Sequence, residues 1–402
     1  MSKKIVTANM PIEGVLYRIR ILFENERPIE IEAQKQEEPS ILGNIYTGII
    51  EKVASGIRAA FVRIDKNLTC YLPLDAGCPP PHTGDELLVQ ISREAQKTKL
   101  PTATTELSLS GTYLVVCSGK QKVSFSSRLK EEEKKRLEKM AGSFFPSASG
   151  QQKDPFCCGI IFRTSAREAS MEDLREEYQQ LQQKLECIRN YGQMRTQGTC
   201  VYQAGAEVPE MVQRYGMELS EYLTDVKEEF DSCQTYFRKN AFEHCRATLF
   251  QDKLIPLYKQ QNFDRILNAA RSERVALPSG GFLVIQPTEA FVSIDVNSGK
   301  QLNGKYGKRF FYDVNCEAAK EIAAQLRLRG LSGLILIDFI SMEDKLQEEQ
   351  LLAELQKYVR EDPIQTRVID MTVMHIAEVT RQKKKRSLAE QIGGTKDAAW
   401  RE

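Results

Sequence analysis

The chain has 402 residues, with 56 Lys and Arg against 55 Asp and Glu and a formal net charge of +1. This length suits roughly two to four subdomains with cores of their own, and the balanced charge does not by itself indicate a nucleic-acid binder. No apolar run is as long as a membrane span, and the first residues lack the apolar core of a signal peptide. Ten scattered cysteines without a Cys-x-x-Cys spacing favour reduced thiols, so we expect a cytoplasmic protein.

The first part of the chain predicts strands. Hairpin-like segments lie near residues 14–24 and 28–32, and between residues 42 and 91 short apolar segments alternate with turn residues, as in a small barrel. This stretch resembles an S1-type OB barrel, which binds single strands by stacking bases on exposed aromatic rings beside a cationic groove. Phe61 and Tyr71 are the stacking candidates and Lys99 is the candidate phosphate contact. For Phe61, a place in the barrel core is an equal alternative.

Residues 111–205 combine short strands with a long helix. The helix is predicted to begin at Ser170, because Asp173 follows three residues later and completes a capping box. Arg163 and Thr164 lie between the last strand and this helix, and alone they would indicate only a surface pair. Residues 207–272 are mostly helical and amphipathic and carry no catalytic pattern.

Two apolar, β-branched runs end in Asp295 and Asp338, which predicts two buried strands. Between them, apolar residues recur at helical spacing over residues 313–329, so the order is strand, helix, strand. The carboxyl ends of parallel strands share the sheet edge where ligands bind. We therefore expect the two Asp side by side with Asn297 close to them, an oxygen ligand set that suits Mg²⁺. The alternative is that each Asp caps the following turn.

A further helix is predicted from Asp344 to Val359. Its apolar stripe is expected to lie in the core and consists of Leu346, Leu351, Leu352, Leu355 and Val359.

Several runs in the chain carry a resemblance to a known family. They include Arg274-Val275-Ala276-Leu277-Pro278-Ser279-Gly280-Gly281, Ile294-Asp295-Val296-Asn297-Ser298, Asn315-Cys316-Glu317-Ala318-Ala319 and Ile337-Asp338-Phe339-Ile340. These runs resemble the catalytic core of the ribonuclease E/G family. The similarity covers nearly the whole chain and is densest in its last third.

The resemblance implies an α/β protein with several subdomains. An S1-type OB barrel would be inserted in an RNase H-like subdomain, and a DNase I-like catalytic α/β layer would follow. The implied ranges are 1–38 for the first part of the RNase H-like subdomain, 39–110 for the barrel, 111–205 for a 5′-end sensor segment, 206–272 for the second RNase H-like part, 273–386 for the catalytic subdomain and 387–402 for a short tail.

The resemblance also implies the chemistry. Asp295, Asn297 and Asp338 would be the catalytic residues, and the two Asp would hold the Mg²⁺ cofactor. The expected reaction is endonucleolytic hydrolysis of single-stranded RNA that leaves 5′-phosphate products, in ribosomal RNA maturation or messenger RNA decay. From the position of their charge, four cations are candidates for neutralising the RNA backbone: Lys300, Lys305, Arg327 and Arg329.

The chain departs from the family pattern in the 5′-end sensor. Arg163 and Thr164 would bind the 5′-monophosphate of the RNA, with Arg128 beside them, since a guanidinium meets a phosphate with parallel hydrogen bonds. One of two adjacent family arginines is Ser127 here, and the family's Arg-Phe-Gly is Val373-Met374-His375. We therefore expect weak dependence on a 5′-monophosphate. His375 could act as a proton carrier, although a His on a helix surface is the favoured interpretation.

The family's Cys-Pro-x-Cys zinc link is missing as well, because residues 387–394 contain no cysteine. Zinc-linked dimers are therefore not expected, and a homo-oligomer without a zinc link stays open. The short tail favours a compact ribonuclease G-like enzyme over a scaffolding one.

Two other functions compete with this interpretation. A non-catalytic S1-domain RNA-binding protein would need the barrel residues but not the pair of aspartates. A Mg²⁺-dependent phosphoesterase for small molecules would have no use for the barrel. The presence of both aspartates favours RNA cleavage.

Overall fold

The computed structural model describes residues 3–37, 40–74, 81–95, 99–119, 122–145, 158–192, 194–205, 208–240, 242–252, 254–299, 308–342 and 344–393, with only the backbone at 308 and 309. The protein is a mixed α/β structure with two compact units. The first unit combines Met1–Pro39 with Glu218–Glu402, and the second unit is Ser40–Met217. The chain thus leaves the first unit and later returns to it.

The strands of the described residues are, in chain order, β1 (Lys3–Ile12), β2 (Val15–Glu24), β3 (Arg27–Lys35), β4 (Ile45–Ala54), β5 (Ala59–Asp65), β6 (Leu68–Pro73), β7 (Glu86–Arg93), β8 (Thr102–Thr104), β9 (Ser108–Ser110), β10 (Leu114–Ser118), β11 (Val123–Phe125), β12 (Cys158–Phe162), β13 (Cys200–Tyr202), β14 (Leu219–Thr224), β15 (Arg246–Leu249), β16 (Arg274–Ala276), β17 (Phe282–Pro287), β18 (Phe291–Asn297), β19 (Gly333–Asp338), β20 (Thr366–Met371) and β21 (Ile376–Arg381).

The described α-helices are α1 (Glu131–Ala141), α2 (Met171–Gly192), α3 (Glu210–Tyr215), α4 (Lys227–Lys239), α5 (Leu257–Gln260), α6 (Phe263–Arg271), α7 (Lys308–Leu328), α8 (Lys345–Val359) and α9 (Leu388–Gln391). Short 3₁₀ turns occur at Ser55–Ile57, Thr164–Glu168 and Gly216–Glu218.

The first unit begins with a five-stranded sheet in the order β15-β14-β1-β2-β3. β1 and β14 pair in parallel, with Lys4 opposite Glu221 and Thr7 opposite Thr224. β2 and β3 follow as antiparallel neighbours on the other side of β1. This sheet therefore joins two distant parts of the chain.

A buried polar cluster on one face of this sheet crosses the same junction. Glu229 of α4 accepts hydrogen bonds from Arg20 of β2, from Arg18 at 3.1 Å and from the Tyr222 hydroxyl at 2.7 Å. That hydroxyl also lies 3.1 Å from Oγ1 of Thr7, a residue 215 positions away in sequence. Burial alone would raise the pKa of Glu229, but the two arginines and Tyr222 outweigh burial, and the pKa is lowered. The opposite face is apolar and packs on α5 and α6.

The second unit contains a closed five-stranded barrel, consistent with an OB fold. Its strands follow the order β4-β5-β6-β8-β7, and the pairing of β4 with β7 closes it. β13 adds a further antiparallel strand to β4. Gly48 of β4 leaves room for β5, because a Cβ atom there would lie 2.4 Å from the side chain of Val62.

The second unit also has a four-stranded sheet in the order β11-β12-β10-β9, whose core includes residues of α1 and α2. The predicted capping box of α2 is confirmed. The Asp173 amide donates to the Ser170 hydroxyl at 3.1 Å, and the Ser170 amide donates to the Asp173 carboxylate at 3.1 Å.

The last sheet lies in the first unit and follows the order β16-β17-β18-β19-β21-β20. The β18–β19 pair is parallel, and the other pairs are antiparallel. The predicted helices between and after these strands are confirmed as α7 and α8. They cover one face of the sheet through an apolar core that includes Ile294, Ile337, Ile322 and Leu355. The prediction for Leu346 is wrong, because it lies in the first turn of α8 and is 59% exposed.

Among the described residues, no helix is both long enough and apolar enough to cross a membrane.

Replacing Glu229 with Gln tests how much the junction cluster stabilises the first unit. Removing one member of a buried ion pair leaves an uncompensated charge, so we expect the free energy of unfolding to fall by about 3–5 kcal/mol. Because the pKa of Glu229 is lowered from its ordinary value of 4.5, the carboxylate stabilises the fold above that pH. This contribution is lost as the pH falls through the lowered pKa. Urea unfolding at neutral and acidic pH measures both effects.

The matched control is Glu228→Gln, since Glu228 is an exposed neighbour on the same helix. This change should alter stability by less than about 0.5 kcal/mol. Equal effects of the two substitutions would show that the cluster does not stabilise the junction.

Candidate active site

The two aspartates predicted from strand ends lie directly opposite each other. Asp295 of β18 and Asp338 of β19 are register partners in the parallel pair, and neighbouring strands are about 4.8 Å apart. Their chain neighbours Ile294, Val296 and Ile337 are buried against the helices, whereas both aspartates are exposed. Because side chains alternate along a strand, both carboxylates lie on the face opposite to α7 and α8. We call this the open face of the sheet.

Asn297 belongs to the same constellation. Its Nδ2 donates a hydrogen bond to Oδ2 of Asp295 at 2.7 Å. The amide is thereby oriented against one carboxylate, and its oxygen remains available as a further hydrogen-bond acceptor or ligand.

The turn that follows Asn297 packs backbone to backbone against the turn that precedes β17. A Cβ atom on Gly299 would lie 2.4 Å from the Gly280 carbonyl oxygen, and one on Gly281 would lie 2.6 Å from the Asn297 carbonyl oxygen. Gly299 also has a φ of +74°, a conformation that favours glycine. These contacts explain the Ser-Gly-Gly and Asn-Ser-Gly runs, because any side chain would separate the two turns and displace Asn297.

Two polar residues of α7 hold the loops on either side of the aspartate pair. The Glu317 carboxylate accepts the Ser279 amide at 3.1 and 3.2 Å. Buried Asn315 donates to the Ile340 carbonyl at 2.8 Å and accepts the Ile340 amide at 3.0 Å, just beyond Asp338. Both residues belong to the Asn-x-Glu run of the sequence. Their positioning role was missed, since helical spacing shows only the apolar face.

The donor set fits a weakly enclosed divalent cation. Within the described ranges, no three His, Cys, Asp or Glu side chains come together as a metal site. Asp295 and Asp338 therefore provide a two-carboxylate site on an exposed face, with the Asn297 amide beside it. Mg²⁺ commonly keeps several of its waters and takes one or two carboxylates from a protein, so these residues suit it better than an ion that needs an all-protein cage.

Of the four predicted cationic residues, the two that the structure describes do not lie at this edge. Lys300 and Lys305 lie outside the described residues. α7 runs back from the aspartate edge, so Arg327 and Arg329 lie near its far end, and the prediction for them is wrong. Nε of Arg327 is 3.8 Å from the Glu30 carboxylate. Arg329 is only 4% exposed and donates to the Ser272 carbonyl at 2.6 Å.

His375 is not on a helix surface, as the sequence had suggested. It lies in the turn between β20 and β21 with a φ of +62°. Its Nδ1 is 2.8 Å from the Glu348 carboxylate in the first turn of α8. The next residue, Ile376, is the register partner of Asp338, so this turn begins beside the aspartate edge.

The candidate stacking residues of the barrel lie together on its surface. Phe61 of β5 and Tyr71 of β6 are register partners, and their ring centroids are 6.2 Å apart in an edge-on arrangement. Both are half-buried, and neither belongs to the barrel core. Lys99 is exposed. It lies two residues before Pro101, whose carbonyl accepts the Tyr71 amide at 2.8 Å.

The candidate sensor residues are held by their surroundings. Arg163 donates to the Gly111 carbonyl, and the Thr164 hydroxyl is 3.0 Å from the Ser126 hydroxyl. Arg128 is half-buried, and its backbone amide contacts the same Ser126 hydroxyl at 3.4 Å.

Glu177 of α2 organises the loop that holds Arg163, a contact not found from the sequence. Its carboxylate accepts the amides of Thr112, Tyr113 and Leu114 at 2.5, 2.8 and 2.8 Å. Burial raises the pKa of Glu177, although these hydrogen bonds and Arg163 oppose the rise. A Cβ atom on Gly111 would collide with this carboxylate at 2.5 Å. The loop between β9 and β10 is therefore built around one half-buried acid.

Comparisons with a family model and with known proteins all match ribonucleases of the E and G types. The ribonuclease E/G family model matches residues 108–384, a range that includes all the candidate catalytic and sensor residues but not Phe61, Tyr71 or Lys99. A ribonuclease E from Nostoc sp. is 30% identical over 373 residues, which cover 88% of this chain and 53% of that protein. The chain thus spans about half the length of this relative.

Ribonuclease G proteins match over more of their own length. The protein from Haemophilus influenzae is 28% identical over 387 residues, covering 89% of this chain and 76% of that protein. The protein from Escherichia coli strain K12 is 26% identical over 388 residues with the same coverage. With the family model matching more than half of its residues, this chain belongs to the ribonuclease E/G family.

Proposed function

We propose that this protein is a Mg²⁺-dependent endoribonuclease that hydrolyses single-stranded RNA and leaves 5′-phosphate products. The observation that carries the proposal is the placement of Asp295 directly opposite Asp338 on an exposed sheet face. Two carboxylates side by side repel each other unless a cation or a proton lies between them. Proteins whose names are ribonuclease E or ribonuclease G match most of the chain, which makes RNA the favoured substrate.

In this proposal Asp295 and Asp338 hold the metal ion. When bound, Mg²⁺ would supply Lewis-acid stabilisation of phosphate charge and would favour deprotonation of water. Asn297 is already hydrogen-bonded to Asp295, so it presents its amide to a phosphate oxygen or a water rather than taking a proton. Asn315 and Glu317 are positioning residues, because they fix the loops that border the two carboxylates.

The finer architecture belongs to the same proposal. We assign the sheet formed by β15-β14-β1-β2-β3 to an RNase H-like subdomain, the closed barrel to an S1-type OB domain and the last sheet to a DNase I-like catalytic layer. The boundaries 1–38, 39–110, 111–205, 206–272, 273–386 and 387–402 stay predictions, as does the cytoplasmic location.

RNA binding is assigned to the barrel and the sensor. Phe61 and Tyr71 offer two aromatic rings on the barrel surface with the Lys99 chain segment next to Tyr71. That combination suits bases stacked beside a neutralised phosphate. Arg163 and Thr164 would take the 5′-phosphate. A non-catalytic RNA-binding protein would use the same barrel, and cleavage assays separate the two functions.

Cleavage of an unstructured AU-rich oligoribonucleotide tests the catalytic proposal. Loss of an outer-shell partner of a metal ligand typically lowers metal affinity or activity by about 10- to 100-fold. Removing a direct ligand in Asp338→Asn or Asp295→Asn should therefore reduce cleavage at least about a hundredfold. EDTA should abolish cleavage in the unaltered protein, and the products should carry 5′-phosphates.

The control for these substitutions is Asp231→Asn, an exposed carboxylate on α4 with a side-chain exposure of 55%. It should cleave at the unaltered rate. Cleavage that survives EDTA, or that persists in both active-site variants, would contradict the mechanism. An unaltered protein that binds RNA without cutting it would support the non-catalytic function instead.

Substitution of the barrel aromatics tests the binding surface. Stacking of a base on an aromatic ring contributes about 1–3 kcal/mol, so Phe61→Leu and Tyr71→Leu should each weaken RNA binding about fivefold or more. Fluorescence anisotropy with the Asp338→Asn protein measures binding without cleavage. Tyr191→Leu is the control, because Tyr191 is 63% exposed on α2 of the same unit. If this control weakened binding equally, the assignment of Phe61 and Tyr71 would be wrong.

A matched pair of RNAs with a 5′-monophosphate or a 5′-hydroxyl tests the sensor. The sequence lacks two expected arginines, so the preference for the monophosphate should be less than the roughly 2 kcal/mol of a complete charge-assisted pocket, or less than about 30-fold in kcat/KM. Arg163→Gln should remove what preference exists and leave cleavage of the 5′-hydroxyl RNA unchanged. A larger preference would show that another residue replaces the missing arginines.

A further inference from the structure

The open face of the catalytic sheet carries one cation in the same row as the aspartates. Arg274 of β16 is the register partner of Val284, Val284 is the partner of Asp295, and Asp295 is the partner of Asp338. The row therefore runs from the edge strand to the centre of the sheet. Two strand spacings separate the Cα atoms of Arg274 and Asp295, which amounts to about 10 Å.

The side chain of Arg274 lies on the open face. Val275, the next residue, packs against the core below the sheet, whereas Arg274 is exposed. Its guanidinium carbon is 3.5 Å from the centre of the Phe282 ring. Phe282 is in turn the register partner of Asn297. The guanidinium is thus stacked on the ring of the residue that pairs with Asn297.

The donors of this guanidinium are not used by the described parts of the chain. Arg274 forms its cation–π contact with Phe282, and no carboxylate or carbonyl among the described residues accepts a hydrogen bond from its side chain. Stacking covers one face of the planar group and leaves its N–H edge accessible. A guanidinium of this kind binds a phosphate through two parallel hydrogen bonds.

We propose that Arg274, held in place by Phe282, binds a backbone phosphate of RNA next to the phosphate that is cleaved at Asp295 and Asp338. The inference rests on the proposed function and adds a substrate contact to the same site. Exposed carboxylates repel an RNA backbone, so a cation beside them on the same face draws the neighbouring phosphate towards the sheet. Arg274 acts on substrate binding and not on the chemical step.

In the alternative explanation, Arg274 and Phe282 form a cross-strand pair that only stabilises the sheet. Arg274 and Phe282 are on adjacent strands, and such pairs contribute roughly 0.2–1 kcal/mol to stability. This alternative predicts a change in melting temperature and no change in RNA affinity. The substrate contact predicts a loss of RNA affinity, whether or not the melting temperature changes.

Kinetics and binding of four variants separate these explanations. Arg274→Ala should raise KM about tenfold, the lower range for a hydrogen bond to a charged group, and should leave kcat within about twofold. In the Asp338→Asn background the same change should raise the Kd for RNA by a similar factor. Loss of one phosphate contact should also lower the slope of log Kd against log salt concentration by about 0.7.

Two further variants divide the role of Arg274 into charge and geometry. Arg274→Lys should keep the salt slope but recover only part of the affinity, because an ammonium lacks the planar fork. Phe282→Leu should weaken binding while the salt slope stays unchanged, because the charge remains but is no longer positioned.

Arg367→Ala is the matched control. Arg367 is exposed on β20 and pairs with Thr380 of β21, which in turn pairs with Leu334 of β19. Its row of the sheet therefore meets β19 four residues before Asp338. Removal of the Arg367 side chain should change neither KM nor Kd.

Single methylphosphonate substitutions in the RNA identify the contacted phosphate. Neutralising one position beside the cleaved bond should weaken binding to the unaltered Arg274 protein about as much as Arg274→Ala does. The same substitution should have no further effect in Arg274→Ala, since coupled partners give non-additive changes. Additive effects at every position would overturn the proposal, and so would an Arg274→Ala protein that binds like Arg367→Ala.

Failure of the catalytic proposal would be visible separately. If the unaltered protein did not cleave RNA, kcat and KM could not be measured. The Kd and the methylphosphonate measurements would still test the role of Arg274. If cleavage required Asp338 but Arg274→Ala left KM, Kd and salt slope unchanged, only the inference about Arg274 would fall.

Discussion

The parallel pairing of β1 with β14 is the contact on which the rest of the first unit depends. It brings together strands from the two separate stretches of that unit, so the loop that must close between them contains the whole second unit. Loop closure of this length is entropically unfavourable, although its cost grows slowly with length. The apolar strands offset this cost on one face, and the Glu229 cluster links Arg20 before the insertion to Tyr222 after it on the other. Both halves must be present before either face is complete.

Within the last sheet, α7 has the corresponding structural role. One stripe of this helix fills the core under β18 and β19. Its polar residues Asn315 and Glu317 hold the backbone beyond Asp338 and the turn before β17. A single element thus packs beneath both strands and holds both flanking loops. The aspartates are exposed, yet the backbone that carries them is held from below at several points, which is the pre-organisation that the proposed metal site would need.

The sequence predicted the centre of this site because two simple periodicities converge there. Strand alternation places Asp295 and Asp338 on the same side of their strands, and a helical crossover makes those strands parallel. Residues were predicted less well where their position depends on the direction of a whole helix or on the conformation of a turn. Arg327 and Arg329 were expected near the carboxylates, but α7 runs back from that edge and carries them away from it. His375 was assigned to a helix surface, whereas it lies in a turn with a left-handed backbone.

The barrel also shows how far the sequence predicts the position of a side chain. Its strands were predicted from regular turn spacing, and the pairing of β4 with β7 closes them into a barrel. The sequence left the position of Phe61 open between core and surface, and the structure places it half-buried against Tyr71, outside the barrel core. A ring in this position depends on its cross-strand neighbour and not on its own strand. The hydrophobic pattern along one strand does not identify this neighbour, since the neighbour is set by the register between two strands.

The distribution of charge on the open face explains how a nearly neutral chain could hold a polyanion. A net charge of +1 supplies no long-range attraction, and Asp295 and Asp338 add local repulsion at the place where the proposed reaction puts a phosphate. Favourable contacts must therefore be local and sited to either side of the carboxylates. Arg274 meets that requirement through its position in the row, because Phe282, the register partner of Asn297, holds the guanidinium without an ion pair to Asp295. A carboxylate salt bridge at this point would neutralise both partners, whereas an aromatic ring orients the guanidinium and leaves its charge for the substrate.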